Sequence, residues 1–262
     1  MIIYPLKSSI AFNILGLNIH YYGIILAFAI FLGITLIYKF LKSCDNSDYA
    51  NVFIDNCSYI VLFAIIGARM FYVLGNFSYY KAHINEIIMI NHGGISIFGA
   101  ILFGILAIYL ISKINKISCL TLLDVSAVVM PLCQAIGRWG NYFNQEAYGA
   151  PTNSFIKLYV DYSHRFIQFK NIEYYHPAFL YESILDFILF LVLFYFFKKN
   201  KNKKLKSSAF VCIYLMAYSV IRIFVESIRI DSILNVGSVP VAIIISAMTF
   251  LISAIALIKL NK

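Results

Sequence analysis

Charged residues are scarce in this chain. They make up 13% of its 262 residues, while hydrophobic residues make up 61%. Soluble domains carry about 25% charged residues, so this balance excludes an ordinary soluble domain and predicts a multi-pass membrane protein. The net charge of +9 comes mostly from lysines between apolar stretches. That pattern sets membrane orientation and does not indicate a nucleic-acid partner.

Other familiar signals are also missing. The five cysteines are scattered and form no CxxC pair, so they predict neither a disulfide framework nor a zinc site. The five histidines have no metal-ligand spacing, and we expect no metal and no other cofactor. Residues 1–17 lack a basic start and a small-residue cleavage site, so no cleaved signal peptide is expected. No internal repeat is visible.

Long apolar segments are abundant, and seven of them could cross a hydrocarbon core of about 30 Å as helices. We expect an all-α polytopic membrane protein that forms a single integral domain over residues 1–262. Asp124 and Pro131 interrupt the fourth segment. The seven expected helices are Tyr21–Phe40, Val52–Leu74, Ile95–Ile114, Leu120–Gly140, Ala178–Phe197, Ser208–Ser227 and Val239–Ile258.

Lysine placement predicts the orientation. The segments between the helices, with the two termini, fall alternately on the two sides of the membrane. Those on one side hold twelve basic residues, half of them in the run Lys198–Lys206, whereas those on the other side are longer and hold only five. The positive-inside rule then puts the N-terminus outside and the C-terminus in the cytoplasm. Residues 142–177 become an extracytoplasmic loop region. Its basic, aromatic part Tyr162–Tyr175 fits a segment on lipid headgroups and equally a plain exposed loop.

The stretch IGRWGNYFNQEAYG (Ile136–Gly149) ends the fourth helix with polar residues. Arg138, Asn141 and Asn144 recur every three residues, so a continuing helix presents them on one side. Arginine at a membrane helix end is costly unless it meets an anion. For a lone arginine, a snorkelling side chain is the simpler interpretation.

Other helix ends reach the same predicted depth, the outer leaflet. Arg222, Glu226 and Arg229 form an i, i+4, i+7 stripe, which could reflect internal ion pairing alone. Four arginines meet few acids at this depth, which favours an anionic ligand such as a lipid phosphate. The residues at this depth include Tyr22, Arg69, Arg138, Asn141, Tyr181, Glu182, Arg222, Glu226 and Arg229. A transporter or flippase for an anionic solute is the main alternative, although its site would lie at the midplane between repeats.

Six motifs in order resemble those of the bacterial phosphatidylglycerol–prolipoprotein diacylglyceryl transferases. The family signature GRxGNFxNxExxG is matched by Gly137, Arg138, Gly140, Asn141, Asn144, Glu146 and Gly149, with Tyr142 for Phe. The other five are Tyr21–Gly23 (YYG), Gly67–Val73 (GARMFYV), Gly93–Ala100 (GGISIFGA), His176–Ser183 (HPAFLYES) and Tyr218–Arg229 (YSVIRIFVESIR).

This resemblance implies an enzyme of the bacterial inner membrane with two substrates, phosphatidylglycerol and a prolipoprotein signal peptide bearing a lipobox cysteine. The diacylglyceryl group would move to the cysteine thiol, forming a thioether and releasing glycerol 1-phosphate. Arg138 and Arg222 are the expected lipid-phosphate ligands. Glu146 or Glu226 would accept the thiol proton or hold the arginines.

The remaining carried-over residues have supporting roles. Tyr22 and Asn141 are expected to donate hydrogen bonds to the lipid headgroup, and Gly149 to permit a tight turn. Arg69, Tyr181, Glu182 and Arg229 complete the expected site.

One position departs from the family pattern. Where many members have a histidine that could deprotonate the thiol, this chain has Phe98. Either the base lies elsewhere, at Glu146 or His92, or that histidine is not the base. Ser238 replaces a usual Gln and receives no role.

Overall fold

The structure of the chain is a computed structural model. It describes residues 1–6, 8–14, 16–43, 47–89, 93–200, 207–231, 235–237 and 239–261. His92, Ser238 and residues 201–206 of the predicted lysine run lie outside the described residues. The Cα positions form two compact units, Met1–Leu36 with Ser126–Lys262, and Ile37–Val125.

Seven helices are long and apolar enough to cross a membrane within the described part of the chain, so the predicted helix count is confirmed. They are α1 (Tyr21–Ser43), α2 (Ser47–Gly75), α4 (Ile97–Ile114), α5 (Cys119–Asn144), α6 (Ala178–Lys199), α7 (Ala209–Ile228) and α8 (Val241–Asn261), with the short α3 at Phe77–Ala82. The predicted boundaries hold to within a few residues. The largest differences are α2, which starts at Ser47, and α5, which runs through Pro131 and past Gly140 to Asn144.

The unit Ile37–Val125 is built on the crossing of α2 and α4. Gly67 and Gly99 allow the close approach, because a Cβ at Gly67 would lie 2.5 Å from the Gly99 carbonyl oxygen. After α3 the chain forms a 3₁₀ turn at Ile84–Glu86. The Arg69 guanidinium stabilises this connection by donating hydrogen bonds of 2.6–2.8 Å to four backbone carbonyls, those of Glu86, Ile87, Gly93 and Gly94. Within its own unit, Arg69 therefore has a structural role.

In the other unit, α7 packs against α6 and α8. The Ser183 hydroxyl on α6 donates to the Ala135 carbonyl on α5 at 2.8 Å. At Gly33 on α1, a Cβ would lie 2.8 Å from Cys133 Sγ on α5. These contacts bring the start of α1, the end of α5, the start of α6 and the end of α7 to one end of the unit.

Short strands form in the segments outside these helices. β1 (Ile2–Ile3) pairs in parallel with β4 (Lys157–Tyr159), which pairs antiparallel with β5 (Tyr174–Tyr175). The two-stranded pairs are β2 (Ile10–Ile14) with β3 (Leu17–His20), and β6 (Asn235–Val236) with β7 (Val239–Pro240).

A small hydrophobic core lies beneath the three-stranded sheet. It contains Tyr148, Leu158, Val160, Tyr175 and Phe179, all at most 2% exposed. Most of it comes from the loop region 142–177, which is therefore a folded structure. The segment Tyr162–Tyr175 is not a plain exposed loop, because this core includes its last residue.

Candidate active site

Arg138 lies in the last two turns of α5, which also contain Asn141 and end at Asn144. Its Nη2 lies 2.7 Å from Glu182 Oε1, near the start of α6. The same nitrogen donates to the Tyr218 hydroxyl of α7 at 3.2 Å. One guanidinium thus joins three helices.

Glu182 binds both central arginines. Arg222 Nη1 lies 3.6 Å from Glu182 Oε1, and the Tyr218 hydroxyl donates to this oxygen at 3.4 Å. Arg222 Nη2 lies 2.6 Å from Oε2 of Glu226, one turn along α7. The two carboxylates are 2% and 4% exposed, whereas the Arg138 and Arg222 side chains are 22% and 19% exposed. The guanidiniums are therefore the accessible groups of this cluster.

The formal charges of these four side chains cancel. The surplus of positive charge expected from the sequence is absent here, because Glu182 and Glu226 match the two positive charges of Arg138 and Arg222. Arg229 also has an acid of its own, since its Nε and Nη2 lie 2.8 Å from the two oxygens of Asp231. An incoming anion would have to compete with Glu182 and Glu226 for Arg138 and Arg222.

Arg229 does not complete the predicted helical stripe. α7 ends at Ile228, and Arg229 has extended backbone angles of φ −71° and ψ 150°. Its side chain turns to Asp231, so only Arg222 and Glu226 share a helix face. Tyr181, on α6, contacts His176 through its hydroxyl, 3.2 Å from Nδ1.

Polar residues spaced four apart lead from the site into the bundle. Tyr214, Tyr218, Arg222 and Glu226 follow one another along α7, with the rings of Tyr214 and Tyr218 stacked. The Tyr214 hydroxyl donates to Gln134 Oε1 on α5 at 3.0 Å. The sequence reasoning missed Tyr218, although this regular spacing could have identified it.

Glu146 lies just beyond α5 and is exposed. Asn141 and Asn144 both donate to its Oε1, at 3.1 and 3.2 Å. The turn around it is unusual because Gln145 and Ala147 have positive φ angles of 52° and 56°. Such angles cost energy in non-glycine residues, so the surrounding contacts must hold the turn. The predicted pair of asparagines thus positions a carboxylate.

Glycines allow two close approaches at the site. A Cβ at Gly140 would lie 2.5 Å from Cε2 of Tyr22, the second residue of α1. At Gly149 it would lie 2.7 Å from Ile228 Cγ2 and 2.8 Å from His176 Cβ. Gly149 also donates from its backbone to the His176 carbonyl at 2.8 Å. Its role is therefore close packing of three segments and not the tight turn expected from the sequence.

The buried core beneath the sheet holds the loop that carries Glu146. The Tyr148 hydroxyl donates to the His164 carbonyl at 2.6 Å. Burial raises the pKa of Tyr148 to about 12, so the phenol remains a hydrogen-bond donor at neutral pH. Arg165, 8% exposed, donates to the Val160 carbonyl at 2.8 Å.

The spanning helices and the paired arginines at their ends define a multi-pass membrane protein with a polar site. The family model for prolipoprotein diacylglyceryl transferase matches residues 9–259. Three similar proteins are each named phosphatidylglycerol–prolipoprotein diacylglyceryl transferase. The protein of Finegoldia magna is 36% identical, covering 97% of this chain and 96% of its own. The protein of Clostridium botulinum is 38% identical, covering 97% of this chain and 98% of its own. The protein of Synechococcus elongatus is 37% identical, covering 92% of this chain and 83% of its own. The chain belongs to the prolipoprotein diacylglyceryl transferase family.

Proposed function

We propose that the protein transfers the diacylglyceryl group of phosphatidylglycerol to the lipobox cysteine of prolipoproteins. The new bond joins the cysteine sulfur to the glyceryl carbon, and the bond from that carbon to the phosphate oxygen breaks. Glycerol 1-phosphate leaves, and the proton lost by the thiol is released with it, so that atoms and charge balance. The family membership and the accessible guanidiniums of Arg138 and Arg222 support this reaction.

The two arginines would hold the lipid phosphate. As the carbon–oxygen bond breaks, negative charge grows on the phosphate, and fixed cationic donors stabilise it most where water is excluded. Guanidinium suits this task because its planar N–H groups match two phosphate oxygens at once. Tyr218, which contacts both Arg138 and Glu182, would keep the Arg138 group in place.

The thiol must lose its proton before it attacks, because the thiolate is the nucleophile. Glu226 is a poor acceptor, since its carboxylate lies 2.6 Å from Arg222 and is 4% exposed. Glu146 is exposed, and among the residues that the structure describes it accepts hydrogen bonds from the neutral amides of Asn141 and Asn144. We therefore assign proton acceptance to Glu146 and the positioning of Arg222 to Glu226. No histidine is required for this step, which agrees with Phe98.

The site would face the outer leaflet of the bacterial inner membrane, with the chain acting as one transferase domain. Lysine placement supports this orientation. In a cysteine-free background, a cysteine replacing Phe155, whose side chain is 83% exposed, should react with an impermeant thiol reagent in intact cells. A cysteine replacing Lys199 should not react until the cells are opened. The reverse pattern would contradict the orientation.

The activity is tested with the purified full-length chain, phosphatidylglycerol and a lipobox peptide. Mass spectrometry should detect the diacylglyceryl thioether, and glycerol 1-phosphate should appear in equal amount. A peptide with serine in place of the cysteine is the matched control and should give neither product. If the cysteine peptide also gives neither, the proposal fails and an anion transporter becomes the better interpretation.

A further inference from the structure

Asp186 is a buried acid that the proposed mechanism does not use. It lies on α6, one turn beyond Glu182, and is 0% exposed. Neither of its carboxyl oxygens has a hydrogen-bond partner among the residues that the structure describes. A charged carboxylate there would be buried without a hydrogen bond, which proteins avoid. We infer that Asp186 carries its proton and is an uncharged carboxylic acid.

Glu182 needs a second partner when lipid binds. In this structure its Oε1 lies 2.7 Å from Arg138 and 3.6 Å from Arg222. A phosphate held by both arginines competes for the N–H groups that Glu182 uses. The displaced carboxylate, 2% exposed, would then be a buried charge with weakened pairing, which is strongly unfavourable.

The geometry points to Asp186 as that second partner. Residues four apart on a helix lie on the same face with Cβ atoms about 5–6 Å apart, so the two carboxyl groups can reach each other. The proton of Asp186 can be donated to Glu182, forming a charge-assisted hydrogen bond within the bundle. Asp186 is thus a positioning residue: it receives Glu182 when the phosphate of phosphatidylglycerol takes the arginines.

This role rests on the proposed function and concerns one substrate only. Without a donor at position 186, displacing Glu182 becomes harder, and the phosphate binds less well. Replacing Asp186 by Leu should therefore raise KM for phosphatidylglycerol about tenfold, the loss expected for one hydrogen bond to a charged group. KM for the lipobox peptide should not change. The Asp186→Asn amide can still donate to Glu182, so this variant should keep the wild-type KM for lipid.

Two controls separate this role from a merely structural one. Ser183→Ala removes a buried hydrogen bond between α6 and α5 and should leave both KM values unchanged. In a Glu182→Gln background there is no displaced carboxylate, so adding Asp186→Leu should have no further effect on KM for lipid. Equal effects of Asp186→Leu in both backgrounds would overturn the inference, as would a wild-type KM for Asp186→Leu or a similar loss for Asp186→Asn.

Infrared difference spectroscopy tests the switch without turnover. Adding phosphatidylglycerol vesicles to the reconstituted full chain should shift the band of a protonated carboxyl group, and this signal should be absent from Asp186→Asn. A wild-type spectrum without the signal overturns the inference even if Asp186→Leu fails to fold. Failure of the proposed function is distinguishable, because then the wild-type protein forms no thioether product in the activity assay.

Discussion

Arg138→Lys tests the central element of the site. Lysine keeps the positive charge beside Glu182, so it avoids the cost of about 3–5 kcal/mol that follows when a buried ion pair loses one partner. What it removes is the planar group, whose Nη2 reaches both Glu182 Oε1 and the Tyr218 hydroxyl, at 2.7 and 3.2 Å. An ammonium group cannot reproduce that arrangement and also present two parallel donors to a phosphate.

The expected loss follows from the charge that develops on the phosphate. Removing one donor to a developing oxyanion costs about 2.7–4 kcal/mol, which is about 100- to 1000-fold in kcat. The assay measures thioether formation at saturating lipid and peptide, with thermal unfolding followed in parallel. Arg165→Lys is the matched control, since Arg165 is buried among backbone carbonyls of the loop core. It should lower stability and keep kcat. The assigned role would be refuted if Arg138→Lys turned over within about threefold of wild type, a change of about 0.7 kcal/mol in activation free energy.

Four further substitutions test other parts of the chain. Glu146→Gln should lower kcat about 100-fold, which is in the range typical of a lost general base. A peptide with a more acidic thiol needs the base less, so it should restore the rate of thioether formation by this variant. Gly140→Ala should displace Tyr22, whose ring lies where the new Cβ would be, and lower activity without changing the fold seen by circular dichroism. Phe98→His should preserve or raise activity, measured as thioether formation; a loss would indicate that Phe98 has a packing role. In wild type the raised pKa of Tyr148 makes stability fall as pH rises from 10 towards about 12, and Tyr148→Phe should remove this dependence in pH-resolved thermal unfolding.

The spanning helices could be predicted because length and apolar composition decide whether a helix crosses a bilayer. Helix ends were harder, since they depend on side-chain partners. α5 continues to Asn144, where Asn141 and Asn144 bond to Glu146 beyond its end. α7 stops before Arg229, which pairs with an acid two residues later.

Motifs name candidate residues, and the structure brings Arg138, Arg222 and Glu226 together around Glu182, but this pairing could not be predicted. Depth along a helix can be derived from a sequence, whereas the rotation of each helix depends on tertiary packing. The sharing of Glu182 by two arginines is therefore visible only in three dimensions. The loop core was missed because its strands are two or three residues long, too short for an alternating pattern.

The small core around Tyr148 and Tyr175 is stabilised by a different force from the one that holds the spanning helices together. Apolar side chains of the spanning helices gain little by leaving lipid for protein, whereas this core gains by leaving water. The hydrophobic effect weakens on cooling and in urea, so both conditions act mainly on the loop core. Glu146 and Gly149 belong to that part of the chain, while Arg138 and Arg222 belong to the helices. Cold or urea should therefore disable the part of the site that we propose activates the thiol, while the part that we propose holds the phosphate stays folded.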